Sequence, residues 1–465
     1  MYGRLRRVHF IGVGGSGMSG LAEVLLNLGF VVTGSDLRRS ESTDRLGRLG
    51  GRIFLGHDER HVEGAQVVVY SSAVSEENPE LRAARAAEIP VIPRAVLLSE
   101  LMRLRFGVAV AGAHGKTTTT TLVGAVLASG GLDPTIVVGG RVRSFGSGAR
   151  LGLGQFLVAE ADESDGSFLR LTPSIAVVTN LDREHLDHYH DMDEIRAAFA
   201  EFVGRVSFYG LVVGCADDPE VASLLQATRH RRTLSYGLAA GEVRARAIEL
   251  GPAGSRFEVW FAERFIGPME IALIGEHNVK NALAAICVGL ELEIPVSLIR
   301  KGLAEFSGIG RRFEVKGEAG DVLVVDDYGH HPTEIRATLR AAKALERRLV
   351  VLFQPHRYTR TAALLQEFGA AFDDADVVLI TDIYSAGERP IEGVSAESIV
   401  GAARSHGHRE VQYAGDLARA EALLDAVVRP QDLLLTLGAG DVWRAGEGYL
   451  ARHAGGAATQ SGRPS

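Results

Sequence analysis

The sequence is nearly without cysteine: Cys215 and Cys287 are the only two in 465 residues. Two thiols with no CxxC or Cys/His spacing around them exclude a disulfide framework and a cysteine-based zinc site, and a reducing, cytoplasmic compartment is expected. No uninterrupted apolar stretch reaches the ~18 residues that a membrane helix needs, so no membrane insertion is expected. A basic excess is missing as well. Fifty Lys and Arg against 58 Asp and Glu leave a formal charge of −8. That balance argues against a nucleic-acid partner, because neutralising phosphates takes clustered positive charge. An export signal is not expected either. The apolar patch 8–13 behind Arg4, Arg6 and Arg7 breaks at Gly14-Gly15-Ser16-Gly17, short of the ~7–15 apolar residues of a signal core.

What is abundant is glycine: the 55 residues amount to about 12%, against a typical ~7%. Many backbone positions can therefore take positive φ or approach a ligand closely, which suits a protein that grips phosphates. At roughly 150 residues per domain, the length predicts about three domains.

The order of elements agrees. Residues 1–105 alternate β-rich runs (8–11, 31–33, 67–71) with helical spacing (18–28, 96–103), the pattern of an open, mainly parallel sheet. A second unit opens at Phe106 with a strand over 107–111, a glycine turn and a helix from Lys116, then strands over 156–159 and 175–179. Residues 230–270 read as shorter antiparallel strands and 277–290 as a helix. A third unit follows Gly308 and Gly310, with strands over 322–325, 349–353, 377–381 and 433–437. The expected divisions are 1–105, 106–310 and 311–454, with a hinge near 307–312 and a small, polar, disordered tail over 455–465.

Gly12-Val13-Gly14-Gly15-Ser16-Gly17 fits G-x-G-x-x-G between a strand and a helix, and Asp36 ends the next strand nineteen positions beyond Gly17. Such glycines let a backbone approach a pyrophosphate at a helix N-terminus, and the acid accepts hydrogen bonds from a ribose. By itself the loop says NAD, but any diphosphate-linked nucleoside presents the same groups. Glycines serving only tight packing are the bland alternative.

Gly112-Ala113-His114-Gly115-Lys116-Thr117-Thr118 follows an apolar strand and carries the Gly-Lys-Thr ending of a phosphate loop. Lys116 suits β- and γ-phosphates and Thr117 a Mg²⁺ ion. The generic pattern is incomplete, because Val110 stands where it wants a glycine. A Mg²⁺-nucleotide site needs oxygen ligands from another strand end. The acidic run from Glu160 through Asp162, Glu163 and Asp165 supplies them, unless it is merely a solvated loop. His185, His188 and His190 follow a later strand. With no cysteine near, structural zinc is not expected, and a single histidine serving Mg²⁺ fits better.

At this point the residues resemble the Mur ligase family. Segments 9–20, 111–119 and 160–168 look like its N-terminal, ATP-loop and acidic motifs, and 275–281 like its central asparagine motif. Segments 310–313, 326–334 and 354–361 resemble its C-terminal signatures. The resemblance implies an α/β protein of three domains: an N-terminal Rossmann-like UDP-binding domain, a central P-loop-type ATPase domain and a C-terminal Rossmann-like domain. It implies an ATP-dependent ligase that joins L-alanine to the lactyl carboxylate of UDP-N-acetylmuramate, using Mg²⁺ or Mn²⁺ and no NAD. The first loop then holds UDP through Gly14, Gly15, Ser16, Gly17 and Asp36, with Ser71 and Ser72 adding hydroxyls unless they form an ordinary turn.

By the same resemblance ATP is held by Gly112, Ala113, His114, Gly115, Lys116, Thr117 and Thr118, and the metal by Thr117, Glu160 and His185. Asn281, Arg312 and Asp327 serve the adenosine side or bring the third domain over ATP, whereas Asn278 reads better as a helix cap. Tyr328, His330 and His356 belong near the lactyl–alanine junction. Arg357 and Arg360 share a face if helical and suit an anion. His330 and His356 are candidate bases by pKa range alone. A monomer or weak homodimer is expected. Three positions depart from the family pattern: Ala113 replaces a threonine, Glu184 an aspartate and Asp441 an asparagine.

Overall fold

The computed structural model describes residues 5–71, 73–142, 147–185, 188–228 and 230–454. Ser72 and the tail 455–465 therefore lie outside the described residues. The chain divides into two compact units. One comprises Met1–Ala247, Phe257–Glu270 and Val279–Ser307; the other comprises Ile248–Arg256, Ile271–Asn278 and Gly308–Ser465.

The first unit carries two sheets. Strands β1 (Arg7–Ile11), β2 (Val31–Asp36), β3 (Arg52–Leu55), β4 (Val67–Tyr70) and β5 (Val91–Pro93) form a parallel sheet in the order β3-β2-β1-β4-β5. The order reverses at β1, so a crevice opens beyond the carboxyl ends of β1 and β4, where open α/β sheets place their ligands. The second sheet contains β6 (Phe106–Ala111), β7 (Thr135–Val142), β8 (Ser147–Arg150), β9 (Phe156–Glu160), β10 (Ile175–Val178), β11 (Leu211–Cys215), β12 (Arg232–Gly237), β13 (Val243–Gly251), β14 (Gly254–Phe261) and β15 (Arg264–Ile271). Its order is β15-β14-β13-β12-β11-β10-β6-β9-β7-β8. Val108, Val110, Val158 and Val177 are fully buried, as strands covered on both faces require. One apolar cluster runs from Phe10, Leu21 and Leu25 to Ala109, Leu157 and Phe168, tying both sheets into a single core.

The antiparallel expectation for 230–270 needs correcting at its start. Strand β12 pairs in parallel with β11 (Leu211 opposite Arg232), because the helix Pro219–Ala227 carries the chain back across the sheet between them.

The second unit is built on β16 (Glu314–Ala319), β17 (Val322–Asp327), β18 (Arg348–Phe353), β19 (Val377–Thr381), β20 (Val411–Gly415) and β21 (Asp432–Leu437), in the order β16-β17-β21-β18-β19-β20. Only the β16–β17 edge pair is antiparallel. Alternation along the strands splits its core in two. Val325, Leu349, Val351 and Leu435 face one layer of helices, while Val324, Val350, Leu352 and Leu434 face the other.

Candidate active site

The phosphate loop sits between β6 and the helix Lys116–Ser129. Its turn needs glycine at two places. Gly112 has φ +132° and a Cβ there would overlap Thr179 Oγ1; Gly115 has φ +82° and a Cβ would lie 2.6 Å from Asn281 Oδ1. The backbone of His114 is clamped by Asn180, which accepts from its N–H at 2.8 Å and donates to its carbonyl at 3.0 Å. Lys116 folds back over the loop: its Nζ donates to the carbonyls of Gly112 (2.7 Å) and Ala113 (3.0 Å) and to Glu163 Oε1 (2.7 Å). Burial works against its charge, but Glu163 and Asp162 outweigh that and hold its pKa above the ordinary lysine value.

Adjacent parallel strands supply the acids. In the order β10-β6-β9, the loop follows the middle strand, Glu160 ends β9 and residues 179–185 follow β10. Glu160 accepts from the Gly139 N–H and from the Thr117 hydroxyl, and burial pushes its carboxyl above the usual range. His185 Nε2 lies 3.3 Å from Glu163 Oε1 and 3.9 Å from Glu184 Oε2. Burial opposes a proton on this imidazole, yet its bond to Glu163 and the charge of Glu184 hold its pKa above the ordinary value. His185 also adopts φ +57°, a conformation that costs about 1–3 kcal/mol and tends to persist at functional sites.

Thr117, Glu160 and His185 thus fall on two acidic centres, with Glu160 at Thr117 and Glu163 at His185. The second carboxylate was not singled out from the sequence. Its signal was present in the acidic run, but which carboxylate meets Lys116 is set by how the chain turns after β9. Ligand-capable atoms of Glu163, Glu184 and His185 lie within 4.8 Å of one another, and buried Glu160 Oε1 and Glu163 Oε2 have no hydrogen-bond partner among the described residues. Orphaned carboxylate oxygens beside a phosphate loop fit a hard divalent cation. The His188 ring packs edge-on against Tyr189 and the His190 ring bonds Glu194 at the start of a helix, so both rings are engaged away from the His185 imidazole.

Two departures from the family pattern find a place here. Glu184 extends between His114 Nδ1 (4.0 Å) and His185. Ala113 contributes backbone only, donating to the Asn180 carbonyl at 3.1 Å. Thr118 is buried, one of the run of threonines tucked against the sheet. Asn281 accepts from Thr119 Oγ1 at 3.1 Å and abuts Gly115, which puts it at the phosphate turn. Asn278 lies inside the first turn of the helix Glu276–Glu291 rather than ahead of it, where a cap would stand, and its Nδ2 donates to the Ile274 carbonyl at 2.9 Å.

The first glycine loop lies beyond β1. Gly14 N–H donates to Asp36 Oδ2 at 2.8 Å, so the acid and the loop brace each other. Ser16 opens the helix Ser16–Asn27, and Gly15 at its N-cap is exposed with no side chain closing the turn. Gly17 lies in the first turn under Arg94, and Ser71 follows β4 beside Gly12.

In the second unit the candidate residues also gather at strand ends. Asp327 ends β17 and accepts from the N–H groups of Phe313 and Gly329, each at 2.7 Å; burial pushes its carboxyl up to about 6 despite Arg312. Arg312 and Arg311 both stack over the Tyr328 ring, at 5.3 and 5.2 Å. His330 Nδ1 lies 3.1 Å from the Tyr328 carbonyl, and its ring lies 5.6 Å from that of His356. His356 stacks on Tyr384. Burial and the surrounding charges of His330, Arg360, Arg357 and Arg311 hold it down to about 3, outside the range on which it was named as a base. The helical pairing of Arg357 and Arg360 needs the same correction. Arg357 precedes the helix Tyr358–Ala363 at φ +72°, while Arg360 turns back onto His356 Nδ1 at 3.3 Å. Asp441, the third departure, accepts from Gln354 Nε2 at 2.9 Å, a bond that suits a carboxylate.

Three family models match the chain: "Mur ligase family, catalytic domain" over residues 7–106, "Mur ligase middle domain" over 110–289 and "Mur ligase, glutamate ligase domain" over 311–440. A UDP-N-acetylmuramate--L-alanine ligase of Geobacter sp. (strain M21) is 56% identical, covering 97% of this chain and 98% of that protein. One of Anaeromyxobacter dehalogenans (strain 2CP-1) is 55% identical, over 96% and 98%. Among solved structures, the UDP-N-acetylmuramate-alanine ligase MurC of Thermotoga maritima superposes with a TM-score of 0.81 at 29% identity, over 96% of this chain and 99% of that one. A murein peptide ligase of Psychrobacter arcticus shares the fold, with a TM-score of 0.69 at 24% identity over 97% and 99%.

Proposed function

The chain belongs to the Mur ligase family, and from that premise we propose that it joins L-alanine to the lactyl carboxylate of UDP-N-acetylmuramate at the expense of ATP, a step of peptidoglycan precursor synthesis. The relatives that carry this activity in their names match nearly the whole chain at more than half of its positions. The observation that carries the reading is the site at three adjacent strand ends: Lys116 folded over a phosphate loop, with Glu160 on Thr117 and Glu163 on His185.

A carboxylate does not yield its oxygen to an amine. Phosphorylating the lactyl carboxylate converts that oxygen into part of a leaving phosphate; the alanine amine then attacks the acyl phosphate and the tetrahedral intermediate expels phosphate. Two anions must first be brought together, and Lys116 offsets their repulsion as negative charge develops on the transferring group. Thr117, Glu160 and His185, with Glu163, are the residues that would hold Mg²⁺, which when bound neutralises phosphate charge. Gly112–Thr118 and Asn281 hold the phosphate side of ATP, while Arg312 and Asp327 serve the adenosine side or domain closure.

The amine must attack as the free base. A carbonyl can only accept, so His330 Nδ1 carries the hydrogen toward Tyr328 O and a neutral ring keeps its basic lone pair on Nε2. We assign the proton transfer to His330 and a positioning role to neutral His356. Tyr328, Arg357 and Arg360 complete the substrate side. Gly14–Gly17, Asp36, Ser71 and Ser72 hold the uridine diphosphate. The domains run over 1–105, 106–310 and 311–454, and two buried free thiols suit a reducing cytoplasm. The enzyme acts as a monomer or weak homodimer.

A phosphate-release assay with UDP-N-acetylmuramate, ATP and each amino acid in turn tests the assignment. Release should require all three components and be fastest with L-alanine. Equal release without any amino acid would refute a ligase.

A further inference from the structure

Arg94 opens the helix Arg94–Arg103 directly after the edge strand β5, so it stands at the carboxyl ends of the first sheet, on the side of the glycine loop. A Cβ on Gly17 would overlap its guanidinium, so Arg94 lies flat against the first turn of the helix Ser16–Asn27. The absence of a side chain at Gly17 is what admits it. Its other end faces the acidic run: Nη2 lies 3.6 Å from Asp162 Oδ2, with the two side chains 23% and 44% exposed. Asp162 also feels the charge of Lys116, so one carboxylate is coupled to a cation of each glycine loop.

The Arg94–Asp162 pair is weak by construction. At 3.6 Å it lies beyond hydrogen-bond length, and a partly solvated ion pair contributes little net attraction. A guanidinium offers five donors in a planar fork that matches phosphate oxygens, and a diphosphate brings more charge than one carboxylate. We propose that Arg94 grips the diphosphate of the sugar nucleotide and that Asp162 is the placeholder it releases when that anion arrives. The inference rests on the first loop being the sugar-nucleotide site. It adds a binding residue from outside that loop. It also adds a consequence: filling the first loop frees a carboxylate that is electrostatically coupled to Lys116, so occupancy of one loop is felt at the other.

The test is calorimetric titration of the full chain with UDP, UMP and uridine, for wild type, Arg94→Gln, Arg94→Lys and Asp162→Asn. Arg94→Gln should weaken UDP by about 10- to 100-fold, the value of a charged hydrogen-bond pair, with uridine changed less than about 2-fold. Arg94→Lys should fall between, keeping charge without the fork. Asp162→Asn should tighten UDP, because it removes the competitor. Opposite signs from the two halves of one ion pair are what a merely structural contact would not produce, and melting temperatures near wild type confirm folding. Equal weakening by Arg94→Gln and Asp162→Asn, or an Arg94→Gln variant that binds UDP like wild type, would overturn the proposal. A wild-type chain that does not bind UDP would instead overturn the reading of the first loop, and this inference with it.

Discussion

Lys116 Nζ and Glu163 Oε1 lie 2.7 Å apart, with side chains only 18% and 4% exposed, and the same carboxylate oxygen lies 3.3 Å from His185 Nε2. The loop lysine is thus held by an acid that also meets His185. Lys116, Glu163 and His185 therefore form one coupled set of charges.

Removing one member of that set exposes the others. Lys116→Met should abolish turnover while leaving UDP-sugar affinity within a few-fold. It should also destabilise the chain by about 3 kcal/mol, because it strands a buried carboxylate. Glu163→Gln placed on top of Lys116→Met should recover part of that loss. Denaturant unfolding of the two single variants and the double variant gives the coupling; simple additivity would contradict the pairing.

The first loop makes the opposite prediction. Gly15 is exposed at φ −60°, and a Cβ there meets nothing closer than the Gly12 carbonyl at 3.4 Å. Gly15→Val should therefore fold, at a cost of about 1 kcal/mol for the cap. Its branched side chain should keep a diphosphate off the turn and weaken UDP-sugar binding by at least about 10-fold, with ATP affinity unchanged. Titration with each nucleotide decides the matter; a variant that lost ATP instead would misplace the loops.

Glu160 should be a residue held at the expense of stability. Burial raises its pKa above the ordinary glutamate value, so the folded chain binds this proton more tightly than the unfolded chain. Its contribution to stability then falls as pH rises through that range and stays unfavourable at neutral pH. Glu160→Gln should melt no lower than wild type above pH 7, yet bind Mn²⁺ with ATP at least about 10-fold more weakly. Melting curves with spin-resonance titration of Mn²⁺ test both halves.

His356 gives the pH signature of the second unit. With its pKa held to about 3 in the fold against 6.5 in the open chain, the unfolded state takes up a proton first as pH falls. Stability contributed by the neutral ring is full above pH 6.5 and is lost progressively toward pH 3. Wild type should lose more melting temperature than His356→Asn between pH 7 and pH 4. Parallel curves for the two would place His356 in solvent.

The legible parts of the chain were those whose chemistry is local. A glycine turn between a strand and a helix announces itself in Gly12–Gly17 and Gly112–Thr118, because only such residues make the turn and leave amides for phosphate. Strands such as β6 and β10 showed as short apolar runs. The half-buried β3 and β5 did not, since their pattern of burial carries no clean alternation. The site was legible to the level of segments and blurred at the level of atoms. Which acid of the run 160–165 meets Lys116, and which histidine of 185, 188 and 190 faces it, depends on how the loops fold back onto β6. The depressed His356 was beyond reach for the same reason: Arg357 and Arg360 are its neighbours in sequence, but its desolvation and the approach of His330 and Arg311 depend on the fold.

The most direct test of the account follows oxygen. UDP-N-acetylmuramate carrying ¹⁸O in both carboxylate positions is turned over with ATP and L-alanine, and the released phosphate and the amide are weighed by mass spectrometry. Activation of the carboxylate by phosphoryl transfer predicts one labelled oxygen in each phosphate and one retained in each amide. Amide formed alongside wholly unlabelled phosphate would contradict it.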